Sequence, residues 1–443
     1  MKIAILGAGV AGLTAAYDLA RAGFQVVVYE ASPVAGGLAS GFRDSRWQWP
    51  LERFYHHLFE TDHDIRKLVD EIGFGDQLFF SRPVTAQWWR DRAYPIAGVG
   101  EILRFPGLPF VDRIRFGLTA AYLKYATNDW QSLEQTTAAA WSARWSGPRV
   151  TRTIWQPLLE GKFGPYAGEV NMAWLWARLK ARTFQLGYFK GGFQAFIDAL
   201  LARTRALGAT IHLETPIQAL AEQEGGWSVT STAGVEAFDA VITTGSPALL
   251  SRLVPQLPPE YLGRLAGLRS LGAVVLTIAL HKPLTGGYYW VNLPKDEFPF
   301  LALVEHTSFV SADHYGGDTL IYCGDYLDPS HEYFQLSKDQ LLARFLPALA
   351  QFNRSFEPTW VRDAWLHREP YAQPIVPVGH SQHIPPLATP LEGLYWASMS
   401  QVYPWDRGTN FAVELGRRVA AAVTDYAVHV RARGGGVRAG ERV

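Results

Sequence analysis

The stretch Gly7-Ala8-Gly9-Val10-Ala11-Gly12 decides how the chain begins. Before it, Lys2 to Leu6 is a short apolar run that reads as a buried strand. After it, Val10 to Ala22 has helical spacing and stops at Gly23. Gln25 to Glu30, rich in valine, reads as a second buried strand. Strand, glycine turn, helix and strand make a βαβ unit, which requires a parallel sheet. Gly7 permits the tight turn, Gly9 lets the backbone approach a pyrophosphate, and Gly12 lets the helix pack on the strand. Free N–H groups at the helix start then face the phosphates. Glu30 ends the second strand, where a carboxylate accepts both ribose hydroxyls of an adenosine and repels a 2′-phosphate.

Outward from this unit, 443 residues are enough for two or three domains, and 48% hydrophobic residues supply a sizeable core. Lys+Arg and Asp+Glu number 41 each, so no global field draws the chain to nucleic acid or an acidic membrane, which leaves room only for a local basic patch. Cys323 is the single cysteine, which excludes an internal disulfide and a cysteine-held metal site. The apolar start is too short and too glycine-broken for a signal peptide. No run approaches the ~18 apolar residues of a spanning helix. Aromatic residues are abundant, with 16 Trp, 19 Tyr and 24 Phe, as large aromatic-walled pockets or an ordinary core would require.

The expected class is α/β: a Rossmann-type domain interleaved with an α+β substrate domain of mixed sheet and helical insert. The first domain takes residues 1–80, 190–268 and 385–430, and the second takes 81–189 and 269–384. Leu103 to Trp176 reads as helical, Phe193 to Leu207 as a helix, and Ala237 to Thr243 as a buried strand. Ala273 to Leu280, Phe300 to Val304 and Thr319 to Tyr322 read as strands of a second sheet. Asn410 to Val423 is a final helix, and the Gly/Arg-rich tail 431–443 is expected to be disordered.

NAD and FAD share the first fingerprint, so other segments must separate them. Ser32 to Ser40 carries a second glycine pair, Gly36-Gly37. Near the C-terminus, Gly393 to Ala397 is followed by Asp406-Arg407-Gly408-Thr409-Asn410-Phe411 and a helix. On these stretches the sequence resembles the flavin-containing amine oxidase superfamily, which includes protoporphyrinogen oxidase, phytoene desaturase and monoamine oxidase. The resemblance spans nearly the whole chain. It extends to the bacterial and archaeal protoporphyrinogen-oxidase-like group, which the chain resembles through Glu52-Arg53-Phe54-Tyr55-His56-His57 and Tyr403 to Asn410. It implies non-covalent FAD held by Gly7, Gly9, Val10, Ala11, Gly12, Glu30, Ala31, Gly36, Gly37 and Leu38. Ile217, Thr244, Gly245, Gly408, Thr409, Asn410 and Phe411 complete that expected set, and no metal is expected. Leu38 stands where the family has an arginine, which removes one phosphate contact.

For the chemistry, flavin N5 takes the hydride and the protein positions. His56 and His57 are the first candidates, since imidazole transfers protons near neutral pH. Glu305 or His306 can face the pocket from the second sheet, but not both, because strand neighbours alternate. Tyr403 precedes the last FAD stretch and is a further candidate, with Trp405 as a pocket wall or plain core. Glu52 and Arg53 read as an ion pair or as holders of their loop. Lys162 is the residue for an anionic substrate group, against the plainer reading of a surface lysine. Leu276 aligns with the lysine that amine oxidases place near N5, which counts against simple amine oxidation.

Three functions stay open. One is hydride removal from a hydrophobic isoprenoid, carotenoid-like or tetrapyrrole substrate. Another is a redox-neutral reaction resembling that of UDP-galactopyranose mutase, on a nucleotide sugar. The third is flavin binding without turnover. The expected location is cytoplasmic, with the amphipathic 103–125 insert as a peripheral contact at the inner membrane face.

Overall fold

The computed structural model describes residues 1–96 and 98–437 of the chain. Its first sheet has five parallel strands in the order Thr210–His212, Gln25–Tyr29, Lys2–Leu6, Ala240–Thr243 and Leu394–Trp396. Ile5 stands between Val28 and Ile242, which fixes the register across the centre. Both faces of these strands are covered, as continuous apolar runs demand. Ile3, Ile5, Val26 and Val28 point to one face, against Leu13, Phe196 and Val419. Those three come from the helices Val10–Arg21, Gly192–Ala206 and Thr409–Val437. Ala4, Leu6, Val27 and Tyr29 point to the other face, against Leu220, Trp227 and Phe238 of a small antiparallel meander.

The second sheet has seven strands. Their order is Val361–Pro374, Ser270–Leu280, Thr319–Leu327, Ala302–Glu305, Tyr288–Asn292, Val84–Trp89 and Arg92–Pro95. It is mixed, because Tyr288–Asn292 runs parallel to Val84–Trp89 while the other pairs are antiparallel. Its long strand Ser270–Leu280 is buried on both sides. Val275 and Ala279 join the core of the first sheet, while Val274, Leu276, Ile278 and Leu280 pack toward the helix Lys338–Leu349. A helical layer from Phe110 to Ala181 forms a third core around Trp155, Phe163, Trp174 and Trp176. The architecture is thus a Rossmann-type α/β sheet interleaved with a mixed sheet and a helical insert.

The final helix differs from its expected bounds. It runs from Thr409 to Val437, through part of the stretch expected to be a disordered tail. The remainder of that stretch, 438–443, lies outside the described residues.

Candidate active site

A groove begins where the two glycine turns meet. Gly7 adopts φ +110°, a conformation that L side chains resist. A Cβ on Gly12 would lie 2.0 Å from the Gly7 carbonyl oxygen, so only glycine lets the helix start this close to its strand. Gly12 therefore serves packing and does not line the groove. At Gly9 a Cβ would meet nothing within 4 Å, because it would project into open space. The Gly36 N–H donates to the Ala8 carbonyl at 2.8 Å, and Gly36 bridges to Gly9, so the second glycine pair lies against the first turn.

The groove between these turns has a volume of 570 Å³, within the roughly 300–1,000 Å³ common for cofactor sites. Gly7, Gly9, Val10, Ala11, Glu30, Ala31, Gly36, Gly37 and Leu38 line it, with Ile217, Thr244, Gly245, Gly408 and Thr409. Glu30 is fixed there by two backbone donors, Ala8 N–H at 2.7 Å and Ser32 N–H at 2.9 Å. Two helix N-termini, at Val10 and Thr409, border the same space and favour negative charge. Bare backbone at Gly9, a carboxylate on the second strand and two positive helix ends fit a dinucleotide. Arg252 also lines the groove, and nothing in the sequence pattern marked it.

A second cavity of 190 Å³ meets the groove. His56, Arg407, Gly408 and Thr409 line both spaces. Asn410 and Phe411 belong to the second cavity, and Asn410 also accepts from the Ile65 N–H at 3.1 Å. Tyr55, Phe59, Tyr289, Trp290 and Phe411 give it aromatic walls.

Both histidines of the 52–57 loop line this cavity. His56 Nδ1 donates to the Phe54 carbonyl at 2.5 Å, which leaves Nε2 as the acceptor of a neutral ring. Burial lowers the His56 imidazole to about 4 and that of His57 to about 3. His57 Nδ1 lies 3.3 Å from the Tyr289 hydroxyl. The loop itself is anchored by Glu52, which is 1% exposed. Glu52 accepts from the Phe193 N–H at 2.7 Å and from the Tyr188 hydroxyl, while its own carbonyl accepts from Tyr322 at 2.8 Å. Glu52 is thus committed to holding the loop, and the expected pairing with Arg53 gives way to that role.

Lys162, Arg178, Arg182 and Arg407 bring four cations to the cavity. Lys162 Nζ and Arg178 Nη1 both approach Asp406 Oδ2, at 3.0 and 3.3 Å. The Lys162 side chain is only 12% exposed, so the surface reading of this lysine is overturned. Burial alone would raise the Asp406 carboxyl, but Lys162, Arg178 and Arg407 outweigh it and hold the group well below the usual carboxylate range. Tyr326 receives a hydrogen bond from Arg407. Burial would raise its phenol, yet Arg407 and Lys162 hold it below the ordinary tyrosine value. Arg178, Arg182 and Tyr326 were missed by sequence reading. The one signal was the spacing of Arg178 and Arg182, one helical turn apart.

Other expected candidates lie elsewhere. Glu305 is buried and accepts from the Leu284 and Thr285 N–H groups at 3.1 and 2.7 Å, so it braces a turn outside both spaces. His306 Nε2 sits 2.9 Å from the Tyr315 hydroxyl in the core. The Tyr403 hydroxyl accepts from Asn171 Nδ2 at 3.0 Å and its ring packs on Trp130, away from the cavity. Trp405 stacks between Trp176 and Phe411 as core. Leu276 faces the helix Lys338–Leu349, because its strand alternates. Ala273 and Val275 are the residues of that strand nearest the site, beside Tyr55, His56 and Arg407.

A family model described as flavin containing amine oxidoreductase matches residues 10–424. Among curated proteins, the carotenoid phi-ring synthase of Chlorobaculum tepidum is 30% identical over 99 residues, which are 22% of this chain and 15% of that protein. The 15-cis-phytoene desaturase of Synechococcus elongatus is 33% identical over 131 residues, 27% of each chain. These matches thus span well under two thirds of the relatives' own length. Among solved structures, a putative protoporphyrinogen oxidase from Exiguobacterium sp. superposes with a TM-score of 0.74 at 18% identity. That superposition covers 95% of this chain and 98% of the other, and it shows a shared fold.

Proposed function

Since the chain belongs to the flavin containing amine oxidoreductase family, we propose that it binds FAD non-covalently in the groove and oxidises a lipophilic substrate held in the second cavity. One observation carries the reading: His56, Arg407, Gly408 and Thr409 line both spaces, so the groove shares a wall with a separate aromatic-walled chamber. Bound FAD supplies the hydride acceptor, N5. The chain supplies position and proton chemistry. Gly9 and the helix starts at Val10 and Thr409 would hold the phosphates and favour negative charge on the bound cofactor. Tyr55, Phe59, Tyr289 and Trp290 orient an apolar chain and keep water out. His56 Nε2 accepts the proton that leaves the substrate. The family's carotenoid phi-ring synthase and phytoene desaturase, by their names, point to isoprenoid substrates. Cys323 lies in the core of the second sheet beside Leu276 and Ile321, which supports a cofactor without a thioether link.

Purified protein is expected to be yellow and to release intact FAD on denaturation. Anaerobic titration with isoprenoid or tetrapyrrole donors should bleach it. Failure to take up FAD on reconstitution overturns the reading. Binding of a UDP-sugar to the dithionite-reduced protein, with no bleaching by any lipophilic donor, replaces it with a redox-neutral reaction on a nucleotide sugar.

We also propose that the insert lies on a lipid surface. Phe110, Val111, Ile114, Leu118, Tyr122 and Tyr125 form one exposed stripe along the helix Phe110–Ala121 and the turn that follows it. Exposed Arg104 and Arg115 flank the stripe and suit anionic headgroups. Among the described residues no helix is long and apolar enough to cross a membrane.

A further inference from the structure

Charge in the second cavity is out of balance. Four cations line it: Lys162, Arg178, Arg182 and Arg407. Two carboxylates face them, Asp406 and Asp62. Asp62 is already used, since it accepts from the Phe59 N–H at 2.8 Å, and burial raises its carboxyl to about 6. Asp406 is committed as well. Its Oδ2 takes both Lys162 and Arg178, and its Oδ1 accepts from the Arg407 N–H at 3.1 Å.

What remains is donor capacity without an acceptor. Among the described residues the Arg182 side chain donates to Thr85 Oγ1 alone, at 3.4 Å, from the rim of the cavity. Arg407 Nε is buried and has no hydrogen-bond partner among the described residues. His56 and His57 are neutral rings and compensate nothing. Clustered cations repel one another, and withdrawing them from water is costly unless an anion joins them. Guanidinium forks meet planar or tetrahedral anions through paired N–H groups, which suits carboxylate and phosphate alike.

We propose that this cavity takes an amphiphile whose anionic head, a carboxylate or a phosphate, is bound by Arg178, Arg182 and Lys162 while its apolar part lies along Tyr289 and Trp290. The proposal rests on the reading of this cavity as the substrate chamber and narrows the substrate from lipophilic to lipophilic and anionic. Asp406 positions Lys162 and Arg178 and leaves their outward N–H groups for the ligand. Tyr326, between Arg407 and Lys162, adds a hydroxyl to the same face.

The test uses FAD-loaded protein and reads the flavin absorbance shift on titration. The probes are a long-chain carboxylate, the alkyl phosphate of equal length, the matching neutral alcohol and a UDP-sugar. At least one anionic amphiphile should bind about tenfold to hundredfold more tightly than the alcohol. The tighter of the two identifies the head. Arg182→Gln should abolish that preference and Arg182→Lys should restore part of it. Arg182 makes one long side-chain hydrogen bond, to Thr85, at the cavity rim, and thermal unfolding of each variant checks that the fold is kept. If the alcohol binds as tightly as both anions, and Arg182→Gln changes nothing, the anionic head is refuted while the lipophilic reading stands. If the UDP-sugar alone binds, with sensitivity to Arg182→Gln, the anion site is upheld and the lipophilic reading fails. If no probe shifts the flavin spectrum, the proposal is overturned.

Discussion

Lys162 Nζ lies 3.0 Å from Asp406 Oδ2, joining the helical insert to the turn that opens the last helix. The two residues are 244 positions apart in sequence. Both side chains are largely withdrawn from water, at 12% and 16% exposure. A pair of this kind adds little beyond an apolar isostere, but breaking one side strands the other charge. Asp406→Asn keeps the volume and strands Lys162 and Arg178. The expected loss is about 3–5 kcal/mol, read by urea unfolding at neutral pH. The pH dependence has a defined sign. Asp406 has a native value below its unfolded one, so the unfolded chain takes up the extra proton first as acid is added. Its contribution is complete above about pH 4 and is lost below it. Wild type and Asp406→Asn should therefore converge in stability as pH falls through that window. Parallel curves down to the acid limit would refute the pairing.

The two glycines of the first turn should fail in different ways. Gly9 has φ −68°, which any residue adopts, and a side chain there enters the groove. Gly9→Leu should fold with unchanged stability as apoprotein and retain no flavin. Gly12→Ala places a methyl group 2.0 Å from the Gly7 oxygen and must push the helix off its strand. That change should lower stability by about 1–3 kcal/mol even without cofactor. Thermal unfolding of apoprotein, paired with flavin content after gel filtration, separates the two. Equal stability loss in both variants would contradict the groove as described.

How far the sequence reached depends on how local each feature is. The parallel sheet was legible because its strands are buried on both faces and read as unbroken apolar runs. The glycine turn was legible because its chemistry lies within six residues. Leu276 shows the limit, since in a strand buried on both sides an error of one position moves a residue to the opposite face. Val361–Pro374 escaped notice because it carries Arg362, Asp363, His367, Arg368 and Glu369, which look like a loop. The cation cluster was illegible for a different reason. Lys162, Arg178 and Arg407 meet only through the fold, so no window of sequence contains them together. Glu305 looked chemical because a carboxylate stood on a pocket-side sheet, yet two unpaired backbone N–H groups claimed it.

His56 should titrate far from neutrality. Its ring is neutral above about pH 4, since burial disfavours the charged form. The acid limb of kcat/KM is expected near that value, with no inflection near pH 6.5, the ordinary histidine value. His56→Gln keeps hydrogen bonding and cannot take a proton. Loss of a positioned base should lower kcat by roughly 10²-fold or more and remove the acid limb. A variant with altered KM, normal kcat and the wild-type pH profile would reduce His56 to a packing residue.

The stripe on the insert predicts a separation of stability from binding. Val111 and Leu118 are 75% and 67% exposed, so neither supports the core. Replacing both by aspartate should change stability by no more than about 0.5 kcal/mol per site. The same change puts two carboxylates where acyl chains and anionic headgroups would lie. Co-sedimentation with vesicles of mixed phosphatidylglycerol and phosphatidylcholine should be strong for wild type, weaker at high salt, and lost in the double variant. Arg104 and Arg115 supply the electrostatic part, which salt screens within about 10 Å at 0.1 M, and the stripe supplies the apolar part. If both proteins stay in the supernatant at low salt, the helix covers no membrane and the exposed stripe needs another explanation.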